Sequence, residues 1–219
     1  MRKTIIFCDF DGTITMNDNI IAIMRHFQPE GWELLLDQVM AKSISIKVCI
    51  GDMFSLLPSS LKTDVIQYAL DNMQIRPGFS EFISYCENRG IEFLVTSGGI
   101  DFFVRPTLAP FQLPSDHIFC NQSDFSKEQM TILWPHPCDE HCGENCGMCK
   151  TTIIRSYDPE LYLRIMIGDS ITDFAGAKLA DVIFARSHLA EECKKLNMPY
   201  YAYEDFYEIA AQLNVMLEK

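Results

Sequence analysis

The stretch TIIFCDFDGT, residues 4–13, joins a short apolar run directly to two aspartates and a glycine. The same transition recurs twice, in IEFLVTSGG, residues 91–99, and in YLRIMIGD, residues 162–169. Short runs that are rich in β-branched and aromatic residues, without apolar–polar alternation, are typical of strands buried on both faces of a parallel sheet. We therefore predict three such strands, and VIFA, residues 182–185, predicts a fourth.

Amphipathic helical patterns lie between or after these runs. FSEFISYCENRG, residues 79–90, spaces its apolar residues for one helix face and ends in a glycine stop signal. The segments 170–181 and 204–219 follow the same helical pattern. This alternation predicts an α/β fold with a doubly wound, Rossmann-like parallel sheet. Ligands of such sheets bind beyond the carboxyl ends of the strands, so the three polar strand ends should meet in one crevice.

Residues 16–75 interrupt the alternation with four helix-like segments. We predict that they form a small helical cap domain inserted after the first strand. The α/β core then comprises residues 1–15 and 76–219. Residues 117–135 hold two strand-like runs around a polar turn, which predicts a β-hairpin.

The composition indicates a folded chain with an acidic surface. Hydrophobic residues make up 48% of the 219 residues, and the net charge is −12, from 18 Lys and Arg against 30 Asp and Glu. This balance argues against nucleic-acid and anionic-membrane partners. A small phosphorylated metabolite is compatible with this negative charge if a metal cation masks the carboxylates around it. No segment resembles a signal peptide or is apolar enough to span a membrane, so we expect a cytoplasmic protein with reduced thiols. We expect a monomer or a homodimer.

Asp9 and Asp11 form the first candidate catalytic pair. Residues i and i+2 at a strand end project to the same side, and carboxylates held this close share a cation or a proton. Gly12 permits a turn whose backbone N–H groups can bind phosphate. Our hypothesis is that Asp9 attacks phosphorus and Asp11 handles the proton of the leaving group. The alternative is a strand that ends in an ordinary polar turn.

The two other strand ends carry anion-binding and metal-binding candidates. Ser97 should lie at the start of a helix, either as an anion site or as an ordinary N-cap, and the motif alone favours the N-cap. Asp169 and Asp173 lie one helical turn apart, which suits Mg²⁺ but also suits helix capping. The occurrence of all three motifs at three successive strand ends favours a phosphate site with a metal.

The order of DFDGT (9–13), TSGG (96–99), Lys150 and GDSITD (168–173) resembles the haloacid dehalogenase superfamily of phosphohydrolases. The helical insertion resembles the cap of the phosphoserine-phosphatase-like branch of that superfamily. The resemblance implies a Mg²⁺-dependent phosphatase that works through an aspartyl-phosphate intermediate.

The resemblance also implies a role for each matching residue. Asp9 is then the nucleophile, and Asp11 is the general acid and later the general base. Ser97 and Lys150 hold the phosphoryl oxygens. The implied substrate- and phosphate-binding residues are Phe10, Asp18, Ser97, Gly98 and Lys150. The implied metal ligands are Asp9, the Asp11 carbonyl and Asp169, with Asp173 in support.

A longer set of segments is similar to the methionine-salvage phosphatases of Bacillus-type bacteria. These segments are residues 8–20, 45–62, 97–104 and 134–136. The likeness implies hydrolysis of 2-hydroxy-3-keto-5-methylthiopentenyl-1-phosphate. Most of the cap side chains Met16, Met24, Met40, Met53 and Phe54 should be core, and we predict that one or two of them contact the thioether tail of this substrate. One alternative is a phosphatase of phosphoethanolamine or phosphoserine that uses Asp18. A second is a non-catalytic zinc or redox sensor on the same scaffold.

The run PCDEHCGENCGMCK, residues 137–150, contains four of the nine cysteines. Cys138, Cys142, Cys146 and Cys149 are separated by gaps that zinc ligands use. A reducing compartment and an odd cysteine count make a disulfide knot the weakest interpretation. A structural Zn²⁺ site and a compact loop of free thiols both stay open. In either case the cluster should fix the position of Lys150.

Overall fold

The computed structural model describes residues 2–218, which form one seven-stranded sheet in the order β4-β3-β2-β1-β5-β6-β7. All strand pairs are parallel except β3 with β4, which is antiparallel. The predicted doubly wound sheet and the predicted hairpin are therefore confirmed. The strands are β1 (Lys3–Cys8), β2 (Glu92–Ile100), β3 (Ile118–Asp124), β4 (Thr131–Leu133), β5 (Tyr162–Gly168), β6 (Val182–Ala185) and β7 (Tyr201–Ala202).

The central strand β1 shows why the apolar runs lack alternation. Ile5, Ile6, Phe7 and Cys8 are all fully buried. Ile6 and Cys8 belong to one hydrophobic cluster, whereas Ile5 and Phe7 belong to a second cluster on the other face of the sheet. Because helices cover both faces, the four buried positions of the strand are all apolar.

Helices occupy both layers that flank the sheet. They are α1 (Asn19–Phe27), α2 (Trp32–Met40), α3 (Ile46–Ser55), α4 (Lys62–Asp71), α5 (Phe79–Arg89), α6 (Asp101–Leu108), α7 (Lys150–Arg155), α8 (Phe174–Ala177), α9 (Ser187–Lys195) and α10 (Phe206–Leu217). The predicted glycine stop holds, since Gly90 follows α5 in a left-handed conformation with φ of 63°. No helix within residues 2–218 has the length and apolar character that crossing a membrane requires.

The helices α1 to α4 lie between β1 and α5 in the chain, where the cap is predicted. The chain leaves the core before the predicted cap and returns to it after the cap. These two points are neighbours, since Thr15 and Ile75 form an antiparallel bridge. The Arg76 N–H also donates to the Ile14 carbonyl at 2.8 Å. The boundaries 1–15, 16–75 and 76–219 stay a prediction, and their end residues Met1 and Lys219 lie outside the described residues.

Most of the apolar cap side chains that we singled out are core residues. Met24, Met53 and Phe54 are at most 1% exposed, and the Phe54 ring contacts Phe102 of α6 edge-on at 6.0 Å. The cap and the sheet layer therefore share one hydrophobic cluster. Met40 and Met16 are exceptions, since they are 77% and 50% exposed. Met16 lies where the chain leaves the core, and its backbone N–H donates to the Gln74 carbonyl.

The expected helix start at Ser97 is wrong. Strand β2 continues through Ser97 to Ile100, and α6 begins at Asp101. The register against β3 shifts between Thr96 and Ile100, which marks an irregular strand end. Gly99 lets this extended segment approach its neighbours closely, since a Cβ atom there would lie 2.9 Å from the Phe103 ring.

Candidate active site

The carboxyl ends of β1 and β5 lie side by side at the centre of the sheet. The Asp9 N–H donates to the Ile167 carbonyl at 2.9 Å, which places Asp9 beside the end of β5. Asp9, Asp169 and Asp173 each offer a carboxylate oxygen, and these oxygens lie within 4.8 Å of one another. Three carboxylates this close repel unless cations or protons intervene.

Lys150 supplies one of these cations from the start of α7. Its Nζ lies 2.8 Å from Asp9 Oδ1 and also donates to Asp173 Oδ1. Lys150, Asp9 and Asp173 are at most 5% exposed. Burial lowers the pKa of Lys150, but the charges of Asp173 and Asp9 outweigh burial and raise it above the ordinary value. The ammonium group therefore stays charged at neutral pH.

Burial and the charge of Asp173 raise the pKa of Asp9 well above its ordinary value, although Lys150 opposes this shift. The Asp9 Oδ1 atom accepts from the Phe10 N–H at 2.7 Å as well as from Lys150. The Phe10 ring itself is fully buried and lies 6.2 Å from the ring of Phe103. Only the backbone of Phe10 therefore borders the site.

Asn19 holds Asp11 in place. The Asp11 Oδ1 atom accepts from the Asn19 side-chain amide at 2.6 Å and from its backbone N–H at 3.1 Å. Burial, followed by the charge of Asp18, raises the pKa of Asp11 to about 7. A carboxyl group with this pKa can both donate and accept a proton near neutral pH. Asp18 is the N-cap of α1, and its Oδ1 accepts from the Ile21 N–H at 3.0 Å.

Asp173 has a double function at the end of β5. Its Oδ2 accepts from the backbone N–H groups of Asp169 and Ser170, at 3.1 and 2.9 Å, in a capping box. Its other oxygen faces Lys150. Asp169 accepts from the Thr13 hydroxyl at 2.9 Å, and burial with the charge of Asp173 raises its pKa to about 6. Asp173 therefore caps this helix start and also pairs with Lys150, whereas a metal-binding role for the motif stays a prediction.

Gly12 lets the loop after β1 pass close to Asp169. Its φ is +73°, and a Cβ atom there would lie 2.8 Å from Asp169 Cγ. The Gly12 carbonyl accepts from Arg76 at 2.6 Å and from Arg186 at 3.2 Å. Arg76, only 2% exposed, also donates to the Thr13 carbonyl at 2.7 Å. Neither arginine carries a local sequence signal, because both act on backbone carbonyls from distant segments.

Ser97 lies beside Asp11 even though it is in a strand. A Cβ atom on Gly99 would lie 2.8 Å from Asp11 Oδ2 and 2.9 Å from Ser97 Oγ. The Ser97 oxygen accepts from the Gly99 N–H at 2.9 Å. The Gly98 carbonyl accepts from Asn121 at 2.7 Å, which fixes this strand end. Ser97 and Gly99 thus lie close to Asp11, and the binding role of Gly98 stays a prediction.

The cysteine loop, residues 137–149, leads directly into Lys150. Its four cysteine sulfurs lie within 4.8 Å of one another. Every cysteine within residues 2–218 is a free thiol. The structure therefore brings together both predicted sets, the acidic residues with Lys150 and the four cysteines.

Comparison with known proteins gives a consistent result. Residues 6–178 match the family of haloacid dehalogenase-like hydrolases. A protein of Brevibacillus brevis named 2-hydroxy-3-keto-5-methylthiopentenyl-1-phosphate phosphatase is 55% identical over 95% of this chain and 94% of its own. A Geobacillus kaustophilus protein of the same name is 46% identical over 98% and 97%. A phosphoserine phosphatase structure with a phospho-aspartyl intermediate analogue has a TM-score of 0.71 at 22% identity, over 97% and 99% of the two chains.

Proposed function

The chain belongs to the family of haloacid dehalogenase-like hydrolases, and from this premise we propose that it hydrolyses 2-hydroxy-3-keto-5-methylthiopentenyl-1-phosphate in methionine salvage. The observation that carries the proposal is the cluster of Asp9, Asp11, Asp169 and Lys150 at the strand ends, in which Asp9 and Lys150 are buried. The names of relatives that are 55% and 46% identical over nearly the whole chain support the choice of substrate.

The proposed reaction has two steps at Asp9. Both hydrogen bonds that Asp9 accepts fall on Oδ1, so Oδ2 has lone pairs for attack on phosphorus. The bond to the leaving oxygen breaks as the aspartyl-phosphate forms, and Asp11 donates the proton that releases 1,2-dihydroxy-3-keto-5-methylthiopentene. Asp11 then takes a proton from the water that attacks phosphorus, and the phosphorus–oxygen bond to Asp9 breaks to release inorganic phosphate and the free carboxylate. The raised pKa of Asp11, about 7, suits both transfers.

Lys150 and Ser97 are proposed to hold the phosphoryl oxygens. A carboxylate attacks an anionic phosphate only when cations offset the repulsion. Lys150 provides one positive charge within 2.8 Å of the nucleophile. A Cβ atom on Gly99 would lie 2.9 Å from Ser97 Oγ and 2.8 Å from Asp11 Oδ2, and this proximity supports a role for the Ser97 hydroxyl at the same phosphoryl group.

The acidic residues also fit a Mg²⁺ ion. Mg²⁺ prefers a few carboxylate oxygens, and when bound it supplies further charge neutralisation at the phosphoryl group. We assign Asp9, the Asp11 carbonyl and Asp169 as its protein ligands. Asp173 already uses one oxygen on Lys150 and the other on backbone N–H groups, so it supports the site. The hydrolysis needs no second metal, and a Zn²⁺ ion on the four cysteines would act on the loop that carries Lys150.

We expect Mg²⁺ to raise the melting temperature, and to raise it more at about pH 8 than at about pH 5. Asp169, with a folded-state pKa of about 6, binds its proton more tightly than in the unfolded chain. The free energy of unfolding of the metal-free protein therefore falls as pH rises from about 4 through this folded-state pKa. Mg²⁺ relieves the repulsion only where the carboxylates are charged.

Thermal unfolding with added Mg²⁺ and with chelator measures this effect. The ordinary lysine pKa is about 10, so the raised pKa of Lys150 changes no stability within this pH window. Asp169→Asn should lose most of the Mg²⁺ shift. An equal shift at both pH values would contradict the assignment of these carboxylates to the metal.

A panel of phosphate esters in saturating Mg²⁺ tests the substrate. We expect kcat/KM for the methylthio enol-phosphate to exceed that for phosphoserine and phosphoethanolamine by on the order of 100-fold. A preference for either amine would overturn the substrate assignment. Hydrolysis of none of the esters would overturn the catalytic assignment and would favour a non-catalytic sensor.

The amine phosphates have less support in the site. Asp18 is the candidate partner for an amine, but its carboxylate already accepts from the Ile21 N–H as a helix cap. The nine free cysteines support a reducing, cytoplasmic location for the enzyme. A monomer or a homodimer stays a prediction.

A further inference from the structure

The geometry of the cysteine loop is that of a tetrahedral metal site. The sulfurs of Cys142 and Cys146 are 3.8 Å apart, and all four sulfurs lie within 4.8 Å of one another. A tetrahedron with zinc–sulfur bonds of about 2.3 Å has sulfur–sulfur edges of about 3.8 Å. A disulfide would require about 2.05 Å, so the observed spacing is that of shared ligation rather than of a covalent bond.

We propose that Cys138, Cys142, Cys146 and Cys149 bind one structural Zn²⁺ ion as four thiolates. Thiolates are soft ligands that select zinc over the magnesium preferred by carboxylate oxygens. Four protein ligands leave no open position, as is usual in a structural site. The metal content does not depend on the proposed phosphatase activity.

Hydrogen-bond donors already surround the sulfurs. The Cys146 N–H donates to Cys138 Sγ at 3.4 Å, and the Thr151 hydroxyl lies 3.2 Å from Cys149 Sγ. Donors of this kind orient the ligating sulfurs through hydrogen bonds. Asn145 and Gly147, on either side of Cys146, have φ values of 52° and 84°. These left-handed residues fold the Cys-x-x-Cys segment so that its sulfurs meet at one point.

The loop joins the start of α7 to the cap. The Cys149 N–H donates to the His136 carbonyl at 2.9 Å, directly before Lys150. On the other side, the Asn145 amide donates to Ser45 Oγ at 2.8 Å, at the N-cap of α3. The ion therefore fixes the backbone from which Lys150 reaches Asp9. This positioning role rests on the proposed function.

Elemental analysis of the full chain, purified without chelator, tests the metal site. We expect one zinc per chain in the wild type and in Cys193→Ala, since Cys193 is a buried thiol of α9 outside the cluster. Cys146→Ala should lose most of its zinc. With Co²⁺ in place of zinc, the wild type should show the intense visible absorption of a tetrahedral tetrathiolate site. Cys146→Ala should not show this absorption. Zinc far below one per chain in the wild type, or unchanged zinc in Cys146→Ala, would overturn the proposal.

Kinetics at saturating Mg²⁺ tests the positioning role separately. We expect Cys146→Ala to lower kcat by about 10-fold or more, with a smaller effect on KM, because small displacements of a catalytic group reduce rates steeply. If Cys146→Ala has a lower melting temperature but an unchanged kcat, the ion does not position Lys150 and its role is purely structural. A zinc-loaded wild type that hydrolyses no ester would instead overturn the proposed function.

Discussion

Asp9→Asn is expected to lower kcat by ~10⁴-fold or more while the protein stays folded. The amide cannot form the aspartyl-phosphate, so the proposed reaction loses its first covalent step. The fold should persist because an asparagine oxygen can still accept from the Phe10 N–H and from Lys150. Asp173 also remains as a charged partner for the ammonium group. The measurement is kcat on a phosphate ester in saturating Mg²⁺, beside the melting temperature.

The matched control is Asp37→Asn, which neutralises an exposed carboxylate on α2. Its kcat should equal that of the wild type. Mass spectrometry of the Asp9→Asn protein must exclude deamidation, which would restore the nucleophile. Near-normal turnover in an intact Asp9→Asn protein would refute the nucleophile assignment.

Lys150→Met is expected to lower kcat by ~10²–10³-fold, because it removes a fixed charge beside the transferring group. The same change leaves Asp9 and Asp173 buried without their cation. Removing one partner of a buried ion pair destabilises a protein by about 3–5 kcal/mol. In the metal-free state the melting temperature should therefore fall sharply, and Mg²⁺ should restore part of it. Activity and thermal unfolding, each with and without Mg²⁺, separate the two effects.

Lys178→Met is the control, since Lys178 is exposed and contacts only the ring of Phe174 among the interactions described for its ammonium group. It should leave turnover unchanged. If Lys150→Met keeps wild-type kcat in saturating Mg²⁺, Lys150 has no part in phosphoryl transfer. If the metal-free melting temperature does not move, the three buried groups are not coupled as their geometry indicates.

The sheet and the acidic residues could be predicted because their signals are local. The four residues directly before Asp9 are all apolar, and VIFA at 182–185 has the same bounds as strand β6. Parallel strands bring their carboxyl ends to one edge, so the meeting of Asp9 with Asp169 follows from topology. The position of Ser97 did not follow, because glycines at a strand end and at a helix start look alike in sequence.

The residues that hold the site in place were not predictable. Asn19 binds Asp11 from the first turn of α1, and Arg76 and Arg186 bind the Gly12 carbonyl from segments far along the chain. Each recognises a backbone or side-chain oxygen whose position depends on the completed fold. No periodicity or spacing encodes such contacts, because the partners are separated by up to 174 residues.

Trp134 lies where the cysteine loop meets the cap. A Cβ atom on Gly147 of the loop would lie 2.7 Å from its ring, and one on Gly51 of α3 would lie 3.4 Å away. The ammonium group of Lys47 stands 5.6 Å from the ring centre. The chain has only two tryptophans, and the other, Trp32, is in α2. Indole emission depends on the polarity and the quenching groups around the ring. In a Trp32→Phe protein, the fluorescence of Trp134 therefore reports the contact between the cap and the cysteine loop.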